Sequence, residues 1–342
     1  MWWRLRSLAL VTALTAAGVL PALPAPEALS RARVVVAHDA EASEAFQPNA
    51  EKIRVLVNRG LAHLTRQITV ADAWRSLVST QDVVGLKVLC APGANSGTRP
   101  AVVAAVVEGL LQAGLPGQRI IIWDKHWADL REAGYVDLAR RYGVRVESSQ
   151  LAGYDATNFY EAPIVGKLIW GDLEFQKTGE GIGRKSFLSK LVSREITKII
   201  NITPLLNHNS AGVSGNLYSL ALGSVDNTLR FETDPARLAE AVPEIYARPT
   251  LGDRVALNIV DALVCQYQGE QHSLLHYSTI LNQIRLSTDP VALDVLSVLE
   301  LNRQRQAAKI ASPTNSMALF ENATLLELGV SDRTAITVET IP

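Results

Sequence analysis

The stretch GLKVLCAPGANSGTRPAVVAAVVEGLLQAG, Gly85 to Gly114, decides the fold. It reads as a buried strand, a loop of small residues and an apolar helix. DVVGLKVLC is a near-continuous apolar run with β-branched residues, as a strand covered on both faces of a parallel sheet requires. AVVAAVVEGLLQAG is apolar on most sides and stops at Gly114, a residue suited to a helix C-terminus. Downstream, RIIIWD predicts a second strand, YVDLARRYG a helix ending at Gly143, and VRVE a third strand. Strand, helix, strand, helix, strand at this spacing predicts an α/β fold: a doubly wound, mostly parallel sheet with helices on both faces. Ligands of such sheets bind beyond the carboxyl ends of the strands.

Working outward, residues 33–80 read as a linker, HDAEASEAFQPN, followed by a helical segment in EKIRVLVNRGLAHLT and VADAWRSLV. Residues 81–342 read as the α/β domain, either one unit or two lobes (81–150 and 190–342) with a cleft between them, with a polar, Gly-rich connection over 151–189. Within the second lobe ITKIINIT, RVALNIVDAL and STILNQIRLSTD predict strands. PVALDVLSVLELNRQRQAAK predicts a long helix with Pro290 in its first turn, SMALFENATLLELG a last helix and AITVETIP a final strand.

The chain has 342 residues and a formal charge of -1, so no global basic surface marks it for nucleic acid. Residues 1–32 have the order of a secretory signal peptide: Arg4 and Arg6, then the apolar run Leu8–Leu20, then PALPAPEALSRA. The expectation is an exported, periplasmic or extracellular protein, touching a membrane through this segment alone; an uncleaved anchor is the alternative. Cys90 and Cys265 either pair or remain two buried thiols. No CxxC or Cys/His cluster occurs, so neither an iron–sulfur nor a structural zinc motif is present and the cofactor is unknown.

The opening loop poses a choice between a ligand cradle and a turn with a helix cap. Asn95, Ser96 and Thr98 stand ahead of a helix N-terminus, where backbone N–H groups favour an anion; Ser96 or Thr98 would equally cap the helix. Neither GxxxxGK[ST] nor GxGxxG is present. Lys87 tips the reading toward a cradle, since a lysine inside a buried strand must be paired or used, and Arg99 adds a second cation suited to a carboxylate or phosphate. Lys198, inside ITKIINIT, repeats the theme and leads to Asn207, His208 and Asn209. His208 and Asp261 are candidates for moving a proton, with Lys87 as the third catalytic candidate. Asp289 precedes a helix and reads as an N-cap or a ligand contact, and His126 follows a strand beside Asp124 and Lys125. A small anionic molecule is the expected partner.

Five segments in this order, VVGLKVLCAPGANSGTRPAVVAAVVEGLLQAG, RIIIWDK, ITKIINITPLLNHNSAGVSGNLYSLALGSV, VALNIVDAL and STDPVALDVL, resemble a bacterial family known as domain of unknown function number 362. The resemblance spans roughly Val83 to Gly329 and implies no defined activity. Lys87, Lys198, His208, Asp261 and Asp289 match it; members often carry lysine where this chain has Leu206 and Tyr218. A more distant similarity links Thr98-Arg99-Pro100, the following helix and strand, and His126 to the first domain of nickel-pincer lactate racemases. That similarity implies a racemase-like enzyme with an organometallic cofactor, although WDKHWAD stands where Gly-Thr-His-Arg is typical. The readings are thus an exported enzyme, an exported binding protein with the same cleft, and a structural protein whose lysines only form ion pairs.

Overall fold

A computed structural model describes residues 31–311 and 317–342. The signal-peptide reading lies, up to residue 30, outside the described residues. The described chain builds one large mixed sheet between two layers of helices.

The strands of this sheet that matter here are β1 (Ala32–His38), β2 (Val84–Val88), β3 (Ile120–Asp124), β4 (Arg145–Ser148), β5 (Lys198–His208), β6 (Val255–Gln266), β7 (Ser278–Ser287) and β8 (Ile336–Ile341). Their spatial order is β8-β1-β7-β6-β5-β2-β3-β4. β7 runs antiparallel to both its neighbours, and the other pairs along this path are parallel. The expected doubly wound, mostly parallel α/β sheet is therefore present. Chain order moves from β2 outward to β3 and β4, then returns to β5 on the other side of β2. That reversal between β2 and β5 is the topological switch point at which such sheets open a crevice.

The longer helices are α1 (Ala50–Thr65), α2 (Val70–Arg75), α3 (Pro100–Gln112), α4 (Trp127–Glu132), α5 (Tyr135–Tyr142), α6 (Asn216–Gly223), α7 (Pro235–Tyr246), α8 (Pro290–Ala307) and α9 (Ala318–Leu325). Strand side chains alternate between the two faces. Leu86, Val88, Ile122 and Ile202 join the layer of α1, α3 and α5; Ile121, Trp123, Ile199 and Val260 join that of α6, α7, α8 and α9. Asn49 caps α1 by accepting from Lys52 N, and Asp289 caps α8 by accepting from Ala292 N at 2.8 Å.

Two features depart from the sequence reading. Segment 33–80 is not only linker and helix, because Arg33–His38 belongs to β1, paired in parallel with β8 and antiparallel with β7. In the connection 151–189, Lys185–Ser189 pairs antiparallel with Tyr154–Glu161, and Ile169 and Asp172 stand at the large sheet's carboxyl edge. The cysteines are free and buried, Cys90 in one helix layer and Cys265 in the other.

Candidate functional site

Alternation in β2 puts Lys87 on the α6 side of the sheet, in register with Trp123. Its ammonium is wholly buried and all three of its hydrogens find acceptors. Nζ donates to Asp124 Oδ1 at 2.9 Å, to the carbonyl of Val88 at 2.6 Å and to Ser219 Oγ at 3.1 Å. Asp124 in turn accepts from the backbone N–H of Cys90 and of Lys125. The space for the ammonium is made by Gly223 of α6, where a Cβ would stand 2.4 Å from Lys87 Cε. The charge demanded by sequence reasoning is present, and the protein has spent it on its own carboxylate.

The loop Leu89–Arg99 repeats the pattern. Gly93–Ser96 forms one helical turn, and α3 begins at Pro100 with no side-chain cap. Arg99 N donates to Asp261 Oδ2 at 2.9 Å, its guanidinium to Asp261 Oδ1 at 3.0 Å, and also to the carbonyl of Asn95. Both partners are buried, Asp261 at a bulge in β6. Thr98 Oγ1 accepts from Leu89 N and donates to the carbonyl of Ile202, while Tyr135 donates to the Thr98 carbonyl. Ser96 Oγ meets Ser273 Oγ at 3.0 Å, and Asn95 is exposed. The loop is a cradle, but the anion it holds is Asp261. Thr98 and Arg99, the residues shared with the racemase loop, are engaged within the protein.

Beside these sealed pairs, at the carboxyl ends of β2 and β3, lies an open cavity of about 230 Å³. By volume it holds roughly eight water molecules, enough for one small molecule. Leu89, Ala91, Asp124, Lys125, His126 and Asp129 line one side; Tyr218, Ser219, Leu222 and Gly223 of α6 form another. Thr228, Leu229 and Glu232 close it from beyond α6, and Ile169 and Asp172 from the connecting segment.

Lys125 is the cation of this cavity. Its ammonium donates to Thr228 Oγ1 at 2.8 Å, and Thr228 donates to Glu232. Burial pulls its pKa below that of an ordinary lysine, against the opposing pull of Glu232 and Asp172. Unlike Lys87 and Arg99, it forms no direct salt bridge among the described residues. The carboxylates around it are occupied. Asp172 accepts from Ile169 N and Asn227 N, and Glu232 from Thr228. Burial pushes the Asp129 carboxyl up. Among the described residues no three His, Cys, Asp or Glu side chains converge on a common metal position. His126 is half-buried at the N-terminus of α4, with Nδ1 3.4 Å from Gln150 Oε1.

The remaining sequence candidates fall into separate groups. His208 ends β5 and packs against Tyr218, ring centres 4.3 Å apart and planes inclined by 46°, which puts it one ring behind the cavity wall. Its Nδ1 accepts from Ser210 N and Ala211 N, so the neutral ring carries its proton on Nε2, and burial lowers its pKa. Asn207 Oδ1 accepts from Glu270 N, and exposed Asn209 donates its backbone N–H to Glu270. Lys198 is not inside its strand but is its first residue, half-buried on the sheet's amino edge, opposite the cavity. Asp289 Oδ2 also accepts from Val330 N, and a Cβ at Gly329 would stand 2.0 Å from Asp289 Oδ1. Asp289 is thus a helix cap and a clamp on the chain before β8.

Of the sequence candidates, the structure places His126 in the cavity wall and His208 and Lys87 directly behind it. Thr98, Arg99 and Asp261 form a distinct sealed cluster. Lys125, Ser219, Thr228, Glu232 and Asp172 line the cavity and are not among the site residues that the sequence points to. For Lys125 a signal existed, a cation one residue past a strand end. Tyr218, at one of the positions where the family resemblance leads one to expect lysine, puts an aromatic ring in the wall.

A family model described as domain of unknown function DUF362 matches residues 84–298, more than half of the chain. The chain is also similar to a crystal structure of a protein from Thermotoga maritima determined by the Northeast Structural Genomics Consortium. The TM-score is 0.42 and the identity 12%, and the match covers 78% of this chain and 61% of that one. The chain thus spans less than two thirds of that protein. No curated protein matches.

Proposed function

Since the chain belongs to the DUF362 family, whose description names no activity, we propose from its geometry that it binds a small anionic molecule at the carboxyl edge of β2 and β3. The observation that carries this reading is Lys125, a desolvated ammonium facing a cavity with only a hydroxyl as its partner. A desolvated cation attracts an anionic group more strongly than one in bulk water. Ser219, Thr228 and His126 supply further hydrogen-bonding groups in the same wall. The charged, apolar, Ala/Pro-rich order of residues 1–32 supports an exported location for this binding.

Titration of the protein with acetate, inorganic phosphate and benzoate, followed by calorimetry, tests the reading. At least one of the three binds, binding weakens as alkaline pH discharges Lys125, and Lys125→Met abolishes it. Equal binding by the variant, or no binding of any of the three, overturns the reading. N-terminal sequencing of the mature chain tests export separately. A chain that retains Met1 in the cytoplasmic fraction of its native cells refutes it.

A further inference from the structure

We infer that the ligand is an amphiphile, a small anion with a short apolar chain or ring, seated with its charged end on Lys125 and its apolar part against Leu222, Leu229 and Ile169. This inference rests on the anion reading above and specifies the half of the ligand that reading leaves undefined.

The cavity has two chemistries. Lys125, Thr228, Glu232 and Asp172 form its polar end, and Leu89, Leu222 and the ring of Tyr218 supply apolar wall. The apolar surface does not stop at the mouth. Ile169 and Leu229 both line the cavity, yet are 41% and 43% exposed, and Trp170 beside Ile169 is 74% exposed. Single exposed apolar residues are ordinary, but apolar surface continuous with a cavity marks a ligand groove. The rim is also held in place. Asp172 accepts from Ile169 N and Asn227 N, and Asp226 accepts from Leu173 N and Phe187 N, which ties the segment to the turn that bears Thr228 and Leu229. An apolar rim fixed beforehand lowers the ordering cost of binding. The volume limits the apolar part to on the order of six carbons inside the cavity, with any excess lying along the rim.

The test is calorimetry on the full chain with acetate, butyrate, hexanoate, octanoate and hexanol. Affinity rises about four-fold per methylene up to hexanoate, as burial of each group predicts, and then levels off. Hexanol binds at least about ten-fold more weakly than hexanoate, for want of the charge. In the double variant Ile169→Ser/Leu229→Ser, whose side chains are half in solvent, the dependence on chain length flattens, with hexanoate losing more affinity than acetate. Carboxylates that bind equally at all lengths overturn the amphiphile and leave the anion site standing. Hexanol that binds as tightly as hexanoate overturns the anion reading, and chain-length dependence that survives the double variant unchanged removes the rim from the ligand seat. Lack of binding by the whole series overturns both.

Discussion

Lys87 and Lys125 stand near the carboxyl ends of adjacent strands, and their fates are opposite. Lys87 is closed in by Asp124, Ser219 and the Val88 carbonyl, with no side-chain atom left for a ligand. Lys125 reaches a cavity and holds one hydroxyl. The Arg99–Asp261 pair, a strand away, follows the first pattern. The difference teaches that a buried cation in a strand is a demand for negative charge without saying whose. Where the chain supplies a carboxylate within about 3 Å, the cation becomes architecture; where it supplies only a neutral oxygen, a ligand can complete it.

The strongest way to break this comparison is to remove one member of a sealed pair. Asp261→Ala leaves the Arg99 guanidinium buried and unpaired, and stability falls by about 3–5 kcal/mol, seen as a lower urea midpoint at unchanged slope. Lys87→Met strands Asp124 and costs a similar amount, about 3–5 kcal/mol. A third buried carboxylate sharpens the point. Asp294 accepts from Asn216 N and Leu217 N at the start of α6, and burial pushes its carboxyl up to about 6. Because the folded value lies above the ordinary 3.8, the native state holds the proton more tightly. The stabilisation is full below about pH 4 and is lost as pH rises through about 6, ~3 kcal/mol in all. Asp294→Asn removes that slope, as denaturation of both proteins at pH 4.5 and 7.5 will reveal. Gly223→Ala drives a methyl into the Lys87 stem and costs about 1–3 kcal/mol of thermal stability. Lys125→Met, by contrast, alters stability by less than about 1 kcal/mol while abolishing anion binding. A large destabilisation by Lys125→Met would place it with the sealed lysine and end the distinction.

Much of the fold was legible because it is written locally. β2, α3, β3 and β4 each carry an apolar pattern bounded by Gly or a polar loop, and the α/β order follows. β1 is not legible because RVVVAH follows directly on the Ala/Pro-rich stretch that ends at residue 32, with no punctuation to separate it. The helix cap at Asp289 was legible from its place before Pro290. The site was less legible, for a physical reason. A sequence shows that Lys87, Arg99 and Asp261 carry charge, but pairing spans 37 residues in one case and 162 in the other. Only the folded sheet reveals that these charges cancel. Asp172 and Ile169 enter the cavity from a segment with no periodicity, which nothing local identifies.

The pairing of β1 with β8 sets Ala32 opposite Ile336, and β1's other neighbour, β7, begins at Ser278. The earliest strand of the described chain therefore has no strand partner until the chain has reached β7, about 240 residues later. A contact of such sequence separation forms late and slowly. While a ribosome is still at work, Ala32–His38 is an open edge with three consecutive valines, Val34, Val35 and Val36, a template for pairing with a second chain. β8 thus acts as a latch: a polypeptide that lacks Ile336–Ile341 leaves β1 with a bare flank, open to pairing with a second chain.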